Sequence, residues 1–120
     1  MIALGKYSAW FKTPVGEGMG FVELGADGTL TGSDYTFAYL GGWTQTDQRF
    51  KAVLSAKRIL PGPPGVFGLD ELDIIVTGTF GDGACIRCTG FAKQTPGLRL
   101  DVTLTPQAIN ASVVSAAQPR

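Results

Sequence analysis

The chain contains no histidine, which removes the usual general base, the commonest zinc ligand and any Ser-His-Asp arrangement at once. Its two cysteines cannot staple a disulfide scaffold, and no second cysteine pair completes a metal site around Cys85-Ile86-Arg87-Cys88. In an extended strand, residues three apart point to opposite faces with Cα atoms roughly 10 Å apart, too far for a disulfide. The pair therefore reads as two strand side chains packing as small hydrophobes, and no metal and no cofactor are expected. Charge of one sign is also missing, since ten basic residues balance ten acidic ones. With no positive field to gather phosphates, direct nucleic-acid binding is not expected. No apolar run approaches the roughly 18 residues that span a bilayer, and residues 1–5 are too short for a signal-peptide core. A cytoplasmic protein off the membrane, its cysteines reduced, is the expectation.

What the chain has instead is glycine, proline and short apolar runs. Of its 120 residues 44% are hydrophobic and 17% charged, with 17 glycines and 7 prolines, a balance that suits a turn-rich β domain better than a helical bundle. Runs of β-branched, aromatic and aliphatic residues recur every 8–12 residues or so, the rhythm of a sandwich or barrel. The runs place strands at 6–12, 19–24, 29–32, 35–44, 49–57, 72–80, 84–93 and 98–105. Residues 1–105 are read as one β domain and 106–120, small and polar, as a weakly ordered tail.

Asp27-Gly28 and Asp82-Gly83 supply the positive φ of a two-residue hairpin, and Pro96-Gly97 reads as a reverse turn. The one sizeable loop, 59–68, holds Pro61, Gly62, Pro63, Pro64 and Gly65, which suit neither ladder nor helix; it serves as a lid over a barrel end or as a simple corner. Alternation assigns faces. Leu98, Leu100, Val102 and Leu104 oppose Arg99, Asp101, Thr103 and Thr105, and Tyr7, Ala9 and Phe11 oppose Ser8, Trp10 and Lys12. Phe50, Ala52, Leu54 and Ala56 oppose Arg49, Lys51, Ser55 and Lys57 in the same way. Strands with one apolar face and no helices to cover it must curl over on themselves, so the expected fold is all-β, a single up-and-down antiparallel barrel of about eight strands.

Candidate chemistry is sparse. Carboxylates fall mostly at turns or on the wet face, and no pair is spaced for acid-base work, so no catalytic residue is assigned. Gly16, Gly18 and Gly20 resemble part of a phosphate loop, but no Lys-Thr and no helix follow; a hairpin needing flexible backbone explains them better. Tyr35, Phe37, Tyr39 and Trp43 alternate along the fourth strand and so share a face, lining a ligand cavity or simply filling a small barrel. Trp10, Val53, Ile75 and Phe91 fall opposite the apolar faces of their strands and are read as a dimer surface.

The N-terminal half resembles the GrlR-like negative regulators of bacterial type III secretion. The resemblance is carried by Gly5-Lys6-Tyr7-Ser8-Ala9-Trp10-Phe11, by Gly16-Glu17-Gly18-Met19-Gly20, and by the run from Leu30-Thr31-Gly32-Ser33-Asp34-Tyr35 through Thr36-Phe37-Ala38-Tyr39-Leu40-Gly41. It covers about the first 57 residues, and the remainder by strand count and length. It implies a cytoplasmic lipocalin/calycin-like barrel that homodimerises and regulates transcription by binding a partner, a transcription activator, without enzyme activity. The namesake's surface acidic tetrapeptide, which takes part in partner binding, corresponds here to Gln45-Thr46-Asp47-Gln48, with one acid. From the residues themselves, Asp34 is read as an Asp at a strand start satisfying nearby backbone N–H groups. The leading expectation is a non-enzymatic interaction protein; the alternative is an intracellular carrier of a small hydrophobic ligand inside the barrel.

Overall fold

The alternation does set the architecture. The computed structural model describes residues 2–62, 65–80 and 85–107. Its strands are β1 (Gly5–Thr13), β2 (Gly16–Leu24), β3 (Thr29–Asp34), β4 (Phe37–Thr46), β5 (Arg49–Arg58), β6 (Glu71–Phe80), β7 (Ile86–Ala92) and β8 (Thr95–Pro106). Each pairs antiparallel with its neighbours in sequence, and β1 pairs with β8 from Tyr7↔Pro106 to Lys12↔Asp101, closing an up-and-down barrel. Closure leaves the described strands no unpaired edge. The apolar alternates Tyr7, Ala9, Phe50, Ala52, Leu100 and Leu104 are buried as expected, while Ser8, Arg49, Lys51 and Arg99 are not.

Several boundaries move, each for a local reason. β2 begins at Gly16, three residues before Met19, and the hairpin turn is Pro14-Val15, with Thr13 opposite Gly16. Gly16, Gly18 and Gly20 are therefore strand residues. A Cβ at Gly18 would come 2.7 Å from the Phe11 ring, and one at Gly20 would come 2.8 Å from the Ser33 carbonyl oxygen; close packing, not a flexible hairpin, calls for glycine. The β2–β3 connection is longer than two residues. The Gly28 N–H donates to the Gly25 carbonyl (3.0 Å), Gly28 takes φ 86°, and the Gly25 N–H donates to the Thr29 carbonyl (2.9 Å). This is a turn followed by a left-handed glycine, the three-residue hairpin.

Pro96-Gly97 does not make the β7–β8 turn. Ala92 faces Thr95, so Lys93-Gln94 turn the chain, and Pro96 and Gly97 lie inside β8 where the register slips between Gly90↔Leu100 and Ala92↔Thr95. An irregularity in the ladder is where a strand tolerates a residue without an N–H. Asp82-Gly83 lies outside the described residues, as do 108–120, while Pro106 pairs with Tyr7 and the Gln107 N–H donates to the Lys6 carbonyl (2.8 Å).

The two barrel ends are filled differently. At the end bearing the β4–β5 hairpin, Leu24, Phe50 and Ile86 are almost wholly buried, and Ile2 is drawn in beneath them, its N–H donating to Gln45 Oε1 (3.1 Å). Trp43 stacks on Phe50 (ring centroids 6.2 Å apart) and donates from Nε1 to the Gly25 carbonyl (3.1 Å). The other end carries the β5–β6 loop. There the Thr13 hydroxyl donates to the Val66 carbonyl (2.6 Å), and Phe67 is buried in the core. Residues 65–67 thus cover that barrel end as a lid.

Candidate functional site

Beneath residues 65–67 the interior keeps a cavity of about 100 Å³, walled by strands from around the barrel. Its aromatic wall is Phe11, Phe37 and Tyr39; its small residues are Ala9, Ala52 and Ala56; its roof is Gly65, Val66 and Phe67. Of the four aromatics expected on one face, Phe37 and Tyr39 line the cavity and two do not. Trp43 belongs to the opposite, packed end. Tyr35 is 88% exposed and precedes β4.

Asp34 explains that displacement. Its Oδ1 accepts the N–H of Thr36 (2.8 Å) and of Phe37 (2.7 Å), a side-chain turn that folds the chain sharply between β3 and β4 and leaves Tyr35 at the tip. Asp34 thus caps local N–H groups as its sequence setting suggested. A second role was hidden in the sequence, since Oδ2 also accepts a short hydrogen bond from the Tyr39 hydroxyl. Burial above all, then that bond and the carboxylate's charge, raise the Tyr39 phenol above its ordinary pKa, so it stays neutral. The Tyr39 ring also meets Phe11 edge-on at 6.4 Å.

The lid is anchored on both flanks. Arg58 at the end of β5 donates from Nε to Asp70 Oδ1 (2.7 Å) and from a terminal nitrogen to the Leu60 carbonyl (3.1 Å), and its guanidinium lies 4.9 Å from the Phe37 ring centre. The Ile59 N–H donates to the Thr36 carbonyl (2.7 Å). One arginine thereby ties the lid's two ends to the cavity's aromatic wall.

The outer face shows a second arrangement. Val53 pairs with Ile75, and Ile75 with Phe91, so three of the four residues expected at a dimer surface stand side by side on β5, β6 and β7. Val53 is 46% and Phe91 36% exposed, with Ile75 half-buried between them. Leu40, 64% exposed, extends the row: it pairs with Ser55, two residues from Val53, a diagonal within reach of long side chains. Trp10 is not part of this stripe. It pairs with Met19 and Thr103 and donates from Nε1 to Glu17 Oε2 (3.0 Å), making a separate patch with Met19 and Phe21. Leu40, Met19 and Phe21 were not singled out in sequence, although each lies out of phase with the buried residues of its strand.

The tetrapeptide Gln45-Thr46-Asp47-Gln48 forms the β4–β5 hairpin, with Thr46 opposite Arg49 and Asp47 in the left-handed region at φ 55°. Gln45 is half-buried and holds Ile2, while Thr46, Asp47 and Gln48 are exposed, so the tip presents one carboxylate. Cys88 is buried in β7 as a small hydrophobe, and burial pushes its thiol up to about 12, but Cys85 precedes the strand and is exposed, so it does not pack as the strand side chain expected. Among the described residues no cluster of metal-ligating side chains occurs and no carboxylate lines the cavity. No protein-family model and no curated protein matches the chain.

Proposed function

We propose that this chain is a non-enzymatic regulatory protein that acts by binding a partner protein, in the manner its resemblance implies: a homodimerising, cytoplasmic negative regulator of type III secretion gene expression whose partner is a transcription activator. The observation that carries this reading is the outward stripe Leu40, Val53, Ile75 and Phe91, four apolar side chains aligned across neighbouring strands of a closed barrel. Contiguous apolar surface rimmed by polar residues is the usual mark of association, whereas scattered single residues are not. A barrel without free edges offers a partner no strand to extend, so docking must use side-chain faces or hairpin tips. Self-association and partner binding both draw on the stripe, and the Gln45–Gln48 hairpin supplies a polar contact through Asp47. Lack of histidine and a cavity wall without carboxylates both favour binding over catalysis.

The test is affinity purification of the tagged chain with mass spectrometry, alongside its mass in solution, for the native protein and for Val53→Glu. The reading expects a defined partner and a dimer that the native chain retains and Val53→Glu loses. A monomer that enriches nothing beyond itself would overturn it.

A second reading, the intracellular carrier of a small hydrophobic ligand, is favoured by the lidded cavity and not by the outer face. Eight-stranded barrels either fill with their own side chains or hold one small ligand; here one end is filled and the other is not.

A further inference from the structure

We propose that the cavity under residues 65–67 is a binding site for a small, uncharged hydrocarbon group, one ring or a short branched chain, and that it rejects fatty acids and other ligands with polar heads. This deepens the carrier reading and rests on it.

Size sets the first limit. Pockets for drug-sized ligands run from about 300 to 1,000 Å³, several times the 100 Å³ found here. An engineered apolar cavity of about 150 Å³ in another protein stays dry and takes benzene or xenon, and the present volume is of that order. A long acyl chain exceeds a space of that size.

Chemistry sets the second. Among the described residues Tyr39 is the single lining residue with a polar side chain, and its hydroxyl already donates to Asp34. Asp34 Oδ1 is in turn taken by the N–H groups of Thr36 and Phe37. A carboxylate that moved into the cavity would lose its hydration and find no free donor, since the phenol's proton is committed to Asp34. An amine or alcohol would find at most the lone pair of the Tyr39 oxygen, one partner for the several waters it gives up, which disfavours both. Hydrocarbon has no such loss.

The wall is built to leave room. Ala9, Ala52 and Ala56 stand on β1 and β5, each nearly fully buried, where a larger apolar side chain would fill the space. Phe50, further along β5, closes the cavity's floor toward the packed end. A ligand would pass through the roof, whose Val66 carbonyl is fastened to the barrel rim by the Thr13 hydroxyl.

The experiment is methyl NMR of the full chain titrated with benzene and, separately, with palmitate. Benzene should shift the methyls of Val22, Ile74 and Val102 saturably and leave those of Leu40 and Val53 still. Ala52→Val and Ala56→Val should each weaken that binding by at least about tenfold while keeping the dispersed amide spectrum; two variants are used so that one failing to fold leaves the other decisive. Benzene shifts that neither alanine variant reduces would overturn the site. Palmitate moving the same lining methyls would overturn the size and polarity limits while leaving a carrier standing. No interior shift with either probe would overturn the site and the carrier reading together.

Discussion

Asp34 is the most committed single residue at the cavity end. It satisfies two backbone N–H groups and the hydroxyl of a largely buried tyrosine, so removing its carboxyl strands three donors at once. Asp34→Ala should cost about 2–4 kcal/mol in urea unfolding, at about 1–3 kcal/mol for each buried group left unpaired less what water recovers. Asp34→Asn, which keeps an acceptor, should cost less. Tyr39 gives a pH test. Its phenol and that of Tyr7 are both raised, by burial first. In the unfolded chain these protons leave near pH 10, so the native state binds more protons above that value. Stability attributable to them is whole below pH 10 and falls as pH rises beyond it. In a Tyr35→Phe variant, where Tyr7 and Tyr39 are the remaining phenols, phenolate absorbance followed beside circular dichroism should reach full ionisation only together with loss of the barrel; full ionisation in the folded state would contradict the burial of Tyr39. The capping role of Asp34 was legible in its sequence setting, because an Asx turn is local. Its bond to Tyr39 was not, because which way a strand-end carboxylate leans is decided by the tertiary fold.

At the level of elements, alternation told nearly all: the eight strands, their faces and their order follow from period-two patterning and short connections. The boundaries that moved are those where glycine and proline carry more than one meaning. Pro96-Gly97 looks like a turn, yet sits in a register slip of β8, and Gly16, Gly18 and Gly20 look like a flexible loop, yet lie in β2. Inward glycines also let the sheet curl: a Cβ at Gly41 would collide with the Val53 carbonyl oxygen, and one at Gly90 with that of Ile75. Gly90→Ala should therefore destabilise by about 1–3 kcal/mol, measured by chemical denaturation; an unchanged midpoint would mean that the strands do not approach so closely. The cavity is an opposite case, with too little side chain. At about 24 cal/mol per Å³ its 100 Å³ forgoes about 2 kcal/mol of packing. Ala52→Val should recover part of this, raising stability by about 1 kcal/mol, a gain that a thermal melt would detect and a collapsed interior would not give. No periodicity in the sequence announces a void, because alanine at a core position reads the same whether its neighbours close over it or not.

For the whole molecule, closure is the governing fact. Pairing β1 to β8 satisfies both edges, leaving, among the described residues, the inner cavity, the outer faces and the hairpin tips for a ligand or partner to meet. Patterning singled out Val53, Ile75 and Phe91 as outward, but only the register shows them adjacent and sets Trp10 apart; adjacency across strands far apart in sequence is what a linear reading cannot supply. The interior and the stripe are separable, so substitutions within one should leave the other's binding intact. The most direct measurement is quantitative affinity purification in parallel for the native chain, Val53→Glu and Ala52→Val, each also weighed in solution. The account predicts that Val53→Glu loses both the partner and the dimer, by at least about tenfold, while Ala52→Val keeps them. Equal recovery from native and Val53→Glu proteins, or loss with Ala52→Val alone, would contradict it.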